Sequence, residues 1–212
     1  MSRLTVGSLE GLSENSNVIS VPTGHKLNVA DAGALQIGGS GVVSAGLALV
    51  HTETFSTVSS VSLNNKFTST YTNYRIIARY QNSNTGPQPV YIRLRASGTD
   101  ATTNYDTIGF RAFNGGTVVA VESAGYNTDV QRYANATNIA NGYNFSTIDI
   151  SGPALAETTL FLAHHVLTES GTSAVVWNSG WYNDNATAYD GFTLSIGAGT
   201  ITGALSIYGY AA

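Results

Sequence analysis

The chain has 212 residues, of which only 10% are Asp, Glu, Lys or Arg, and a formal net charge of −4; an ordinary soluble domain carries about 25% charged residues. Cysteine is absent, which excludes a disulfide framework, a thiolate nucleophile and a sulfur-ligated metal. Residues 51–132 hold seven Lys or Arg and five acids, whereas residues 133–212 hold five acids and no basic residue, so phosphate neutralisation, the main source of nucleic-acid affinity, is disfavoured. No apolar run reaches the roughly 18 residues of a spanning helix, and the opening MSRLTVGSLEGLSENS lacks a signal-peptide core. The expectation is a chain that neither inserts in a membrane nor leaves the cell by the ordinary route. Gly, Ser, Thr, Asn and Tyr replace the missing charges, a composition common among extracellular and virion β-proteins.

Residues 1–18 are polar, with Leu4, Val6, Leu9 and Leu12 as the candidate anchors of a short irregular segment bound to a partner. A small repeat follows. Ile19/Val21, Leu27/Val29 and Leu35/Ile37 are apolar pairs, each flanking one polar residue, and they recur every eight residues with Gly-containing turns between them. Strands of three residues make too few ladder bonds to persist alone. Burying six aliphatic side chains is worth roughly 1.5–3 kcal/mol each, and copies of the same segment about a threefold axis would supply the cover. Packing of the pairs on the remainder of a monomer is the alternative; a repeat of fixed period favours the quasi-one-dimensional stem. Residues 19–50 are therefore expected to form a shaft.

From residue 51 the pattern changes to longer strands separated by Gly- and Asn-rich turns. Phe55, Val58, Val61 and Leu63 open it, and Tyr74–Tyr80 and Val90–Arg95 follow around a Pro- and Gly-containing turn. In Val90–Arg95 the apolar Val90, Ile92 and Leu94 alternate with Tyr91, Arg93 and Arg95, the period of a half-buried strand. Further strands are expected at Thr107–Phe113, Thr117–Glu122, Tyr143–Ile150, Thr158–Leu167, Ala174–Trp177, Gly191–Ile196 and Ala204–Tyr210. The sequence TTLFLAHHVL at 158–167 suits strand or helix by apolar content, and its Thr, Phe and Val favour strand. The expected fold is all-β: a short intertwined β shaft followed by an antiparallel, jelly-roll-like β-sandwich head at residues 51–212, homotrimeric as a whole.

Catalytic patterns are weak. No phosphate-binding loop is present, and no Ser sits in a nucleophile elbow. His164 and His165 fall next to one another in an expected strand, so their side chains point to opposite faces and cannot chelate one ion together; one core-edge and one exposed histidine is the simpler account. Asp100 with Asp106, and Asp184 with Asp190, flank loops and could form a glycosidase pair, but turn-forming aspartates explain them better. The expectation is no enzymatic activity, no cofactor and no metal.

Two loop-like segments are more informative. One, Trp177–Asp190, groups both tryptophans with Asn and Asp; the other, Tyr126–Tyr143, interleaves Tyr with amides. Aromatic faces beside planar amides and carboxylates suit sugar rings and protein surfaces alike. Tyr126, Tyr133, Tyr143, Trp181, Tyr182, Asn183 and Asp184 are the candidate receptor-binding residues. Packing of Trp177 and Trp181 in the sandwich core or the trimer seam is the alternative.

The stretches SRLTVGSLEGL, VISVPTGHKLNV, YTNYRIIARYQNSNTGPQPVYIRLRASGTDATTNYDT and LSIYGY together resemble tail-fibre and related fibrous virion proteins of tailed bacteriophages, notably those of marine and cyanobacterial podovirus type. The resemblance implies a homotrimer, located in the virion, whose residues 1–18 attach to another virion protein and whose head recognises a host-surface glycan or protein. It also admits a capsid-decorating or head fibre and, with less support from the residues, a polysaccharide depolymerase spike.

Overall fold

A computed structural model describes residues 36–37, 40–41, 46–84, 86–113, 118–128, 131–136, 142–169 and 173–211. The chain divides into two units, Met1–Val43 and Ser44–Ala212. In the first, β1 (Gln36–Ile37) pairs antiparallel with β2 (Ser40–Gly41), Ile37 opposite Ser40. The expected anchors Leu4, Val6, Leu9 and Leu12 and the repeat residues Ile19, Val21, Leu27, Val29 and Leu35 lie outside the described residues.

The second unit is all-β and antiparallel. Its strands are β3 (Gly46–Val58), β4 (Ser60–Leu63), β5 (Asn73–Asn82), β6 (Gln88–Ala96), β7 (Thr99–Asp100), β8 (Tyr105–Phe113), β9 (Val118–Thr128), β10 (Gln131–Ala136), β11 (Asn144–Ser151), β12 (Thr159–Glu169), β13 (Ser173–Asn183), β14 (Gly191–Ile196) and β15 (Ile201–Ala211). They form an eight-stranded sheet in the order β3-β15-β5-β11-β12-β13-β8-β9 and a smaller sheet in the order β10-β6-β14-β4, with β7 paired to β6. The expectation of an all-β antiparallel architecture compatible with a sandwich holds. Its lower boundary shifts: β3 starts at Gly46, so residues 46–50, assigned to the shaft by pattern, belong to an edge strand of the large sheet.

Alternation decides which side chains enter the core. In β5, Tyr74, Ile76, Ala78 and Tyr80 are buried; in β6, Val90, Ile92 and Leu94; in β14, Phe192, Leu194 and Ile196. These sets join one hydrophobic cluster between the sheets. Polar ties reinforce it. The buried Tyr105 of the large sheet accepts a hydrogen bond at its hydroxyl from the Leu94 amide of the small sheet, 2.8 Å away, and burial raises its phenol pKa.

Close backbone approach sets one sequence requirement. A Cβ built on Gly191 would lie 1.9 Å from the Leu63 carbonyl oxygen, so only glycine lets β14 enter its place between β4 and β6 at this point.

Two segments expected as loops are half strand. β9 and β10 occupy much of 126–143, and β13 continues through Trp177-Asn-Ser-Gly-Trp to Asn183. Asn, Ser and Gly read as turn formers in isolation, but here β12 and β8 pair with β13 on its two sides along this stretch, and ladder bonds override local preference.

Candidate functional site: the outer face of the large sheet

An antiparallel sheet with one face on a core normally turns polar side chains to water. Strands β12, β13 and β8 depart from that rule, and β11 departs at Phe145 while turning Thr147, Asp149 and Ser151 outward. Their inward residues are Ile148 and Ile150, Phe161 and Ala163, Val175, Trp177 and Trp181, and Tyr105. Their outward positions carry Phe145, Leu160, Leu162, Val166, Val176, Ile108 and Phe110, all 42–59% exposed.

Register makes these residues neighbours. Phe145 pairs with Val166 and Val166 with Val176. Two positions along, His164 pairs with Asn178 and Asn178 with Phe110; then Leu162 pairs with Gly180 and Gly180 with Ile108; then Leu160 pairs with Tyr182 and Tyr182 with Asp106. Cross-strand partners on one face lie within about 5.5 Å, so the apolar residues gather on one face, with the polar pair His164–Asn178 between the Val166–Val176 row and the row that holds Leu162 and Ile108.

Polar groups border it. The Arg75 guanidinium donates two hydrogen bonds to Asp149, each 2.7 Å, and the Tyr210 hydroxyl donates to the same carboxylate at 2.6 Å. Hydrogen bonding to Asp149 raises the Arg75 pKa against the opposing effect of burial. For Asp149, partial burial pushes upward, but Arg75 and Tyr210 outweigh it and the carboxyl titrates below its ordinary range. Burial, then the bond to Asp149, raises the Tyr210 phenol. Beside this cluster an open hollow of about 310 Å³ is lined by Leu160, Leu162, Asp149, Asn73, Ser151 and Tyr210, among others. Its apolar floor and polar wall can hold the C–H face of a ring while bonding its hydroxyls.

At the other end of β11, the Arg79 guanidinium lies 3.2 Å from the ring centroid of Tyr143. Tyr143 is 41% exposed. On β13, the Tyr182 hydroxyl donates to Asp106, and its ring is exposed.

The candidate residues therefore separate. Tyr143, Tyr182 and Asp184 are exposed. Trp181 is not: it is 4% exposed and stacks on Phe161 with centroids 4.7 Å apart and planes 10° apart. Its reading as a surface receptor residue is corrected to a core residue, because it shares the inward parity of Trp177 on one strand. Asn183 is fully buried; its amide donates to the Thr103 carbonyl at 2.9 Å and its oxygen accepts from the Tyr189 hydroxyl at 2.8 Å. It braces the loop that follows β13 and does not face a partner. Tyr126 lies in β9 and Tyr133 in β10, with side chains outside the described residues; the repeat residue Ile37 stands likewise in β1.

The residues considered for chemistry have structural neighbours. Asp100 accepts from Arg95 and from the Thr193 hydroxyl, and Asp190 accepts from the Ser97 amide at 3.1 Å. His165 is fully buried and His164 exposed, as expected for adjacent strand positions. Among the described residues, no group of three or more His, Cys, Asp or Glu could hold a metal. Neither the apolar face nor the contact between Ser146 and His165 follows from local sequence pattern. The available signal for the face was the run Leu160-Phe-Leu, apolar at both strand parities, which marks a strand covered on two sides.

No protein family matches this chain, and no curated protein sequence does.

Proposed function

We propose that this chain is a non-enzymatic structural subunit of a phage virion: a homotrimeric tail fibre whose jelly-roll-like head recognises the host surface. The observation that carries the reading is the apolar outer face of the large sheet on a sandwich so poor in charge. A face of that kind suits a protein that works in an assembly. The resemblance of the two termini and of residues 71–107 to fibrous virion proteins supplies the setting. Residues 1–18 attach to another virion protein, residues 19 to about 45 form the shaft, and the sandwich forms the head.

Recognition falls to the exposed polar and aromatic groups bordering the face: Tyr143 beneath Arg79, Tyr182 beside Asp106, and Asp184. Contacts of this size are weak singly and strong when several heads bind together. The test is electron microscopy of virions labelled with gold-conjugated antibodies against the chain. Gold at the tail supports the reading; gold at the capsid vertices reassigns the chain to a capsid-decorating fibre; unlabelled virions overturn a virion role.

A further inference from the structure

We propose that the outer face of the large sheet, across β11, β12, β13 and β8, is where copies of this chain meet. The inference deepens the fibre reading and rests on its claim that the chain works as a homomer; it names the head surface that makes the contact.

Size is the first argument. Ile108, Phe110, Leu160, Leu162, Val166 and Val176 are each 42–59% exposed, and Phe145 extends the patch at its margin. Taking roughly 200 Å² for a large side chain in full exposure, they present about 700 Å². The largest apolar patch on a typical monomer is about 300–600 Å², and a stable interface takes about 800 Å² from each partner. The apolar area gathered on this one face, broken by the His164–Asn178 pair, is of the size that a lone protein seldom leaves in water and approaches what one copy contributes to a lasting contact.

Charge identifies the occupant. Near the axis of a symmetric assembly a side chain meets its own copies, so like charges gather there and a neutral centre is favoured, whereas a different partner can be matched by opposite charge. The register rows across these four strands contain no Lys, Arg or Glu at outward described positions, and their aspartates stand at the margins in bonded pairs, Asp149 with Arg75 and Asp106 with Tyr182. His164, the one titratable side chain nearer the middle, is hydrogen-bonded to Asn178. Depletion of charge and enrichment in aliphatic and aromatic groups characterise homomeric interfaces.

The opposite side of the sandwich supplies the contrast. On the small sheet, outward positions are Ser60 and Ser62 of β4, Tyr91, Arg93 and Arg95 of β6, and Ser195 of β14. That face is fit for water; the large sheet's face is fit for cover.

The full-length chain contains no cysteine, which makes single-cysteine cross-linking direct. Ile108→Cys, Leu162→Cys and Val176→Cys, each oxidised in the otherwise unchanged chain, are compared with Ser60→Cys on the small sheet. At least one of the three is expected to give a disulfide-linked dimer at tenfold or greater yield over Ser60→Cys. Leu162→Lys, checked for an unchanged circular-dichroism spectrum, is expected to raise the concentration at which the oligomer dissociates by tenfold or more. An oligomer that shows neither effect overturns this inference and leaves the homomeric fibre standing, its contact lying elsewhere. A monomeric full-length chain overturns both. Cross-links from a chain that labels no virion uphold the contact face and remove the fibre.

Discussion

The hydroxyl oxygen of Ser146 on β11 lies 2.5 Å from Nδ1 of His165 on β12, with both residues fully buried between the sheets. A serine beside a histidine suggests a nucleophile and its base, but no water or substrate reaches this pair from the surface, and its consequence is for stability. Burial pushes the imidazole down to about 4, against a smaller opposing effect of a hydrogen bond with the Asn135 backbone. Above the ordinary histidine value of about 6.5 the ring is neutral in both folded and unfolded chains, and stability from this source is at its maximum. As pH falls towards 4 the unfolded chain binds a proton that the folded chain refuses, so the folded state loses about 3 kcal/mol. Denaturant midpoints between pH 7.5 and 4 should fall accordingly in the natural chain, and the slope should flatten in His165→Gln. Equal slopes in both would remove His165 as the cause.

Trp181 and Tyr182 occupy consecutive positions on β13 and should respond in opposite ways. Trp181→Ala removes a buried ring stacked on Phe161 and should cost about 3–5 kcal/mol. Tyr182→Ala removes an exposed ring and should cost less than about 1.5 kcal/mol while lowering adsorption to host cells. Thermal unfolding of the two variants side by side checks the first part, and adsorption of virions carrying Tyr182→Ala checks the second. An early-melting Tyr182→Ala with an unaffected Trp181→Ala would reverse the assigned facing of the strand.

The Arg75–Asp149–Tyr210 cluster makes a spectroscopic prediction. Part of the elevation of the Tyr210 phenol comes from the Asp149 carboxylate, so Asp149→Asn should lower the ionisation midpoint of Tyr210, followed by NMR, without bringing it fully to the ordinary tyrosine value, because burial persists. The pair is partly exposed, with side chains 34% and 31% accessible, and its loss should cost about 1 kcal/mol or less. Asp149 titrates low in the folded chain; its stabilising contribution is present at neutral pH and disappears as pH falls through and below the carboxylate range.

Gly191→Ala tests the packing of β14. Its new methyl group would collide with the Leu63 backbone, and the strand pairing Phe192 opposite Leu63 would have to open. A loss of about 2 kcal/mol or more in chemical denaturation is expected; an unchanged midpoint would show that β4 can move aside at no cost.

The strands whose two parities differ chemically were legible in sequence. Val90–Arg95 alternates cleanly and lies within β6, and Gly191–Ile196 coincides with β14 although its buried set includes Thr193. β13 was cut short because Asn178, Ser179 and Gly180 imitate a turn, and the truncation released Trp181 from the parity it shares with Trp177. That spacing of four residues was the available clue. The apolar outer face was hidden for the opposite reason: Leu160, Phe161 and Leu162 are apolar whichever way they point, so sequence indicated cover on two sides without indicating by what. Ser146 and His165 are separated by a turn whose register no local pattern fixes, and only strand pairing brings them together.

The central claim is that this chain functions as a threefold assembly, and the direct measurement is the solution mass of the full-length protein by light scattering during size exclusion, over a hundredfold range of concentration. The account predicts a mass three times the 22.1 kDa of the chain, maintained on dilution. A mass of one chain throughout would contradict it.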